Sequence, residues 1–199
     1  MNISPLNPFI PENSLVFIEK WLKPYSFIIK IKRERRNKLG DYRKPLANHP
    51  HVISVNNNMS KELCLLTLTH EIAHLIAFDL NKTKRILAHG LEWKRVFSDM
   101  ILDTIQLYPN DLQVLLKKYA QNPKAGFFSD KNLAHYFLQL DNPEVLTLKD
   151  IEEGKEFILR NKIFIKGKKN KIRYICQEKL TGKKYLISPV APIQIENAK

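Results

Sequence analysis

The run Ser60-Lys61-Glu62-Leu63-Cys64-Leu65-Leu66-Thr67-Leu68-Thr69-His70-Glu71-Ile72-Ala73-His74-Leu75-Ile76-Ala77-Phe78 carries the strongest structural signal in the chain. Ser60 is a favoured helix cap, and Glu62 falls in the first turn, where the helix dipole favours a negative charge. The residues that follow are apolar almost all round, which predicts a helix buried on every side. His70, Glu71 and His74 interrupt that surface. Burying them charged and unpartnered would cost on the order of several kcal/mol each. On a helix, positions four apart share a face, so both imidazoles can reach one ion. Glu71 is offset from them, able to reach a metal-bound water without ligating. This is the H-E-x-x-H arrangement: two His hold zinc, the metal acidifies a water and the Glu takes its proton. The plainer reading, core histidines satisfied by ordinary hydrogen bonds, suits a lone His better than this set.

A zinc hydrolase site calls for a third protein ligand and one open position. His89 and Glu92 both qualify, at the start of the next helix in His89-Gly90-Leu91-Glu92-Trp93. Gly90 is expected to permit a close approach to the metal helix. That next helix spans about 90–105, with Trp93, Phe97, Met100, Ile101 and Ile105 on one side. Residues 79–88 read as a surface loop, and shorter helices are expected at 111–120 and 131–140. Upstream, 14–22 reads as an amphipathic helix stopped by Pro24, and 26–33 and 51–56 as strands. Between those strands, Arg33, Arg35, Arg36, Lys38, Arg43 and Lys44 around Gly40 make 33–45 a charged turn, and a hairpin is expected. His49, His51 and His135 lack ligand spacing and are expected at the surface, and Cys64 as a buried structural thiol.

After Asn142-Pro143 the character changes. Short apolar runs at 157–159, 163–165, 172–175, 185–187 and 193–195 are separated by turn signals at Asn161, Gly167-Lys168, Thr181-Gly182 and 189–192. They predict a small antiparallel β module over 148–199, following a catalytic domain over 1–147. The chain carries 33 Lys and Arg against 20 Asp and Glu, a formal charge of +13. Residues 151–199 hold 12 of those cations against 5 acids, which suggests an appendage for a polyanion. Arg160, Lys162, Lys166, Lys168, Lys169, Lys171 and Arg173 fall in one stretch without an acid, with Phe157, Phe164, Tyr174 and Tyr185 interleaved. They are candidate DNA contacts, with stacking and phosphate binding combined. The competing reading puts the aromatics in the core and the cations on a guarded edge strand. The 30–44 cluster is a second candidate surface. Two cysteines make no disulfide framework and suggest a reducing compartment. No signal peptide and no spanning run is read at the sequence level, so a soluble, cytoplasmic protein without a membrane partner is expected.

The segment around both His motifs resembles the SprT-like family, which includes the Spartan proteases that cut proteins crosslinked to DNA. The family pattern is an H-E-x-x-H helix followed by a ligand His in His-Gly-x-x-aromatic. Here these are His70-Glu71-Ile72-Ala73-His74 and His89-Gly90-Leu91-Glu92-Trp93, and Leu39-Gly40-Asp41-Tyr42-Arg43 and Ile53-Ser54-Val55-Asn56 are similar to the approach to that helix. The resemblance covers about 10–105. It implies an α+β, zincin-like catalytic domain with the H-E-x-x-H helix packed on a small sheet. It further implies one zinc held by His70, His74 and His89, Glu71 as general base, Glu92 outside the ligand set, and a protein substrate associated with DNA. Many relatives carry a cysteine-rich zinc module at the C-terminal end, but here only Cys176 stands there, so a second zinc is not expected. The oxyanion stabiliser is expected to be Tyr42 or an Arg of the 33–43 turn. The rival expectation is a nucleic-acid-binding protein with a structural or inactive metal site, in which Glu71 would have no use.

Overall fold

The computed structural model describes residues 3–35, 37–46, 49–141 and 144–195. Arg36 of the charged turn and the Asn142-Pro143 break lie outside the described residues. The chain is mixed α+β and divides into two compact units, Met1–Phe137 and Leu138–Lys199.

The first unit contains α1 (Ser14–Leu22), β1 (Phe27–Lys32), β2 (Gly40–Arg43), β3 (His51–Asn56), α2 (Lys61–Leu80), α3 (Leu91–Asp103), α4 (Asn110–Ala120) and α5 (Lys131–Asp141), whose last turn is counted with the second unit. The sheet order is β1-β3-β2. The expected hairpin of β1 with β3 does not form. β3 runs parallel to β1, pairing Ile29 with Ile53, and antiparallel to β2, pairing Tyr42 with Ile53. The physical reason is burial: Ile53 and Val55 are fully enclosed, and a strand that apolar takes the centre with a neighbour on each side. β2 supplies the second neighbour from inside the expected turn. It shows no apolar alternation because it is an edge strand whose residues are half-buried or exposed.

α2 is capped by Ser60, whose hydroxyl accepts from the Leu63 N–H at 3.4 Å. Leu65, Leu66, Leu68, Ile72, Ala73 and Leu75 are all at 0% exposure, so it is the core helix of this unit. By length and composition it could cross a membrane, and 72% of that stretch is buried inside the protein. α3 turns back on it and buries Trp93, Phe97 and Ile101.

The second unit holds β4 (Leu146–Thr147), β5 (Glu156–Leu159), β6 (Lys162–Asn170), β7 (Arg173–Glu178), β8 (Lys184–Ile187) and β9 (Pro192–Ile193). β5-β6-β7-β8 form an antiparallel meander, β4 pairs with β9, and Ile158 bridges to Gln194. Its own core centres on Leu148, Phe157, Phe164, Cys176 and Ile193. Arg160 and Asn161 turn β5 into β6 with φ of 51° and 62°, a two-residue connection matched to strand twist. Gly167-Lys168 does not turn the chain. It lies within β6, where the register shifts between Lys166 and Lys169. A Cβ at Gly167 would run into the Ile175 carbonyl of β7, so this glycine marks a bulge.

Candidate functional site

His70 and His74 project from one face of α2, and His89 comes from the end of the loop before α3. Their Nε2 atoms form a triangle with sides of 3.1, 3.1 and 3.2 Å. For a tetrahedral ion with nitrogen ligands at about 2.0–2.1 Å, neighbouring nitrogens lie roughly 3.3 Å apart. Hydrogen bonding among the rings cannot satisfy such a triangle, since a proton on one Nε2 points at one neighbour and leaves the third lone pair facing them. A cation satisfies all three, and among the described residues this is the group that could hold a metal ion. Glu92 is not part of it. Burial first, and then the neighbouring imidazoles, hold His70 down to about 2, while burial and His89 hold His74 down to about 4. Both rings therefore stand neutral at pH 7, the form a metal needs. Trp93 sits against all three, its ring 4.7 Å from His70, 5.4 Å from His74 and 4.7 Å from His89. Its Nε1 donates to the His70 carbonyl at 3.4 Å. That contact explains an aromatic four residues beyond the third histidine.

Glu71 is 7% exposed and lies under the edge strand β2. Burial pushes its carboxyl up to about 8, with Asp41 adding to the rise. The charges of Arg35 and Lys38, and a hydrogen bond from the Tyr42 N–H, pull the other way. The glycine that allows close approach to α2 is Gly40 rather than Gly90. A Cβ on Gly40 would lie 2.6 Å from Glu71 Oε1 and 2.8 Å from Thr67 Cγ2. At Gly90 the nearest atoms would be 3.2 Å away and belong to Glu92 and Leu87, not to α2.

These groups open into a cavity of about 640 Å³. Leu39, Tyr42, Phe78, Ile86, Phe127 and Phe128 give it apolar walls. Phe127 and Phe128 carry no local signal for this role: they arrive from the connection between α4 and α5, and only packing brings Phe127 to 5.4 Å from the His70 ring. Tyr42 faces the cavity with its ring parallel to His74 at 6.2 Å. Its hydroxyl is 3.0 Å from His51 Nδ1. His51, expected at the surface, is 7% exposed. It belongs to the buried central strand, where the Tyr42 hydroxyl gives its ring a polar partner. His49 is exposed and His135 half-buried. Cys64 is buried and its thiol is pushed up to about 12 by that burial, as suits an inert structural residue.

In the second unit the seven cations separate. Lys166 is 5% exposed, donates its ammonium to the Ile151 carbonyl and lies 4.1 Å from the Tyr174 ring centre, so it is a core residue and not a phosphate contact. The cause is the strand period, which places Lys166 on the same face as the buried Phe164. Lys162 is not free of acids either, pairing with the buried Glu178 at 2.9 Å across the sheet. Arg160, Lys168, Lys169, Lys171 and Arg173 are exposed. Arg160, Lys162 and Arg173 line a groove of about 950 Å³ with Phe164, Tyr185 and Leu186, and among the described residues no acid lines it. Tyr185 is held edge-on to Phe164 at 5.6 Å, its hydroxyl 3.1 Å from Glu178 Oε2.

No family model, curated protein or solved structure matches the chain.

Proposed function

We propose that the protein is a zinc metallopeptidase of the SprT-like kind, acting on proteins associated with or crosslinked to DNA. The observation that carries this reading is the convergence of three imidazoles on one point beside a buried carboxyl group, in a cavity of about 640 Å³. His70, His74 and His89 would hold the ion through Nε2. Zn²⁺ supplies Lewis-acid polarisation of a carbonyl and lowers the pKa of water. Glu71 would do the proton work. Burial keeps its carboxyl protonated up to about pH 8 in the metal-free chain, and a dication held beside it would favour the ionised form. That carboxylate takes a proton from the attacking water and returns it to the departing amine. The Gly40 backbone and the Tyr42 N–H hold that carboxylate in one orientation, and the apolar walls limit bulk water around it. A purely structural metal site gives no reason to bury such a base. The basic and aromatic groove of the second unit supports the DNA part of the reading, with Tyr185 as a fixed stacking surface and Arg160 and Arg173 as phosphate partners.

The test is metal content together with cleavage of an unfolded protein substrate, with and without single-stranded DNA. Glu71→Gln should retain one zinc and lose cleavage, because an amide cannot accept the proton. His89→Ala should lose most of the zinc and Glu92→Ala should keep it. Cleavage by Glu71→Gln at the parent rate would end the general-base role, and a swap of the His89 and Glu92 results would replace the ligand set.

A further inference from the structure

Arg35 lies in the basic 30–44 cluster, yet it is turned inward and used up. Its Nε donates to Asn56 Oδ1 at 2.7 Å, one terminal nitrogen to Ser54 Oγ at 3.0 Å and the other to the Leu39 carbonyl at 3.3 Å. Asn56 completes the clasp from β3, with its Nδ2 donating to the Lys38 carbonyl at 2.9 Å and its backbone N–H to the Leu39 carbonyl at 2.9 Å. Asn56 and Ser54 are 2% and 6% exposed. Two consecutive carbonyls, those of Lys38 and Leu39, are therefore pinned immediately before Gly40, the residue whose backbone lies on the Glu71 carboxylate.

Besides this clasp, β2 is held by its pairing with β3 and its packing on α2. It is a four-residue edge strand, paired on one side only, entered through a polar connection. Short edge segments fray unless side chains tie them down. The fork of a guanidinium matches three acceptors in fixed directions, which an ammonium of equal charge cannot do.

We propose that Arg35 and Asn56 are positioning residues for Glu71: the clasp holds the Leu39–Gly40 backbone against the carboxylate and so fixes where the base stands. This rests on the peptidase reading for its effect on catalysis, but the structural half can be measured without it. Arg35 is accordingly withdrawn from the surface available to nucleic acid.

The experiment compares the full-length, zinc-loaded parent with Arg35→Lys, which keeps the charge and loses the fork. We expect hydrogen exchange at amides 39–42 to speed up several-fold while α2 amides and zinc stoichiometry stay as in the parent. We expect kcat to fall by roughly tenfold or more with KM changed by less than about twofold, since a displaced base slows chemistry without weakening binding. Parent-like exchange at 39–42 overturns the clasp. Parent-like kcat despite faster exchange overturns its catalytic role, and faster exchange throughout α2 with loss of zinc makes Arg35 a general structural residue. If the parent itself cleaves no protein, the peptidase reading fails, and the exchange result alone decides whether the clasp holds Gly40.

Discussion

Glu71 and the two helix histidines set opposite pH dependences on the metal-free fold. Burial raises the folded-state pKa of Glu71 to about 8 from an ordinary 4.5. Between those values the folded chain keeps a proton that the unfolded chain has released, so this contribution to stability is full at low pH and is lost as pH rises through the window. His70 and His74 are held at about 2 and about 4, below the ordinary 6.5. There the unfolded chain binds the extra protons, and stability rises with pH until about 6.5. Glu71→Gln removes only the first effect. Denaturant unfolding of metal-free protein should find the variant nearly equal to the parent near pH 4.5. At pH 8 it should be more stable by a few kcal/mol, about 1.4 kcal/mol for each unit of pKa separation. Coincident stabilities at both pH values would mean the carboxylate is solvated.

At the scale of the element, the decisive meeting is that of β2 with α2. The strand can lie flat on the helix at Gly40 because there is no Cβ to strike Glu71 Oε1 at 2.6 Å or Thr67 Cγ2 at 2.8 Å. Gly40→Ala forces either the strand outward or the carboxylate aside. The expected result is retained zinc, a stability loss of about 1–3 kcal/mol and a fall in kcat of roughly a hundredfold for a displacement near 1 Å. Gly90→Ala is the control. Its Cβ would meet Glu92 Oε2 and Leu87 at 3.2 Å, and its φ of −72° suits any residue, so cleavage should stay within about twofold of the parent. Steady-state kinetics of both variants check this, and the reverse order would return the close approach to Gly90.

At the scale of the molecule, the +13 charge has a less uniform meaning than its sequence suggests. Arg35 and Lys166 are consumed internally, and Lys162 is paired with Glu178. Arg160 and Arg173 line one groove with Tyr185, whereas Lys168 and Lys169 do not line it. Reversing Arg160 and Arg173 to Glu should weaken binding of the whole chain to an oligothymidine. It should also lower the slope of log affinity against log salt by about 0.7 for each phosphate that is no longer neutralised. Reversing Lys168 and Lys169 should do less of both. Anisotropy titrations at several salt concentrations separate the cases. Equal losses from the two pairs would mean a diffuse basic surface and no groove.

Local spacing is enough for everything that repeats within one element. The i, i+4 pair His70 and His74, the Ser60 cap and the all-apolar helix behind it are properties of a few consecutive residues, and each stands where its pattern indicates. The strands of the second unit form at the expected apolar runs, with β6 continuing through the expected Gly167-Lys168 turn. The third member of the histidine triangle is open between His89 and Glu92 on spacing, and points to His89 only through resemblance. Beyond that, packing across long separations makes the choices. It sets the parallel partner of β3, the burial of His51, the inward turn of Arg35 and Lys166, the seat of Gly40 on Glu71 and the arrival of Phe127 at His70. A lysine in a strand reads the same whether its face meets solvent or core. Which face is buried is settled by the neighbours the strand acquires, and those neighbours lie far away in the chain.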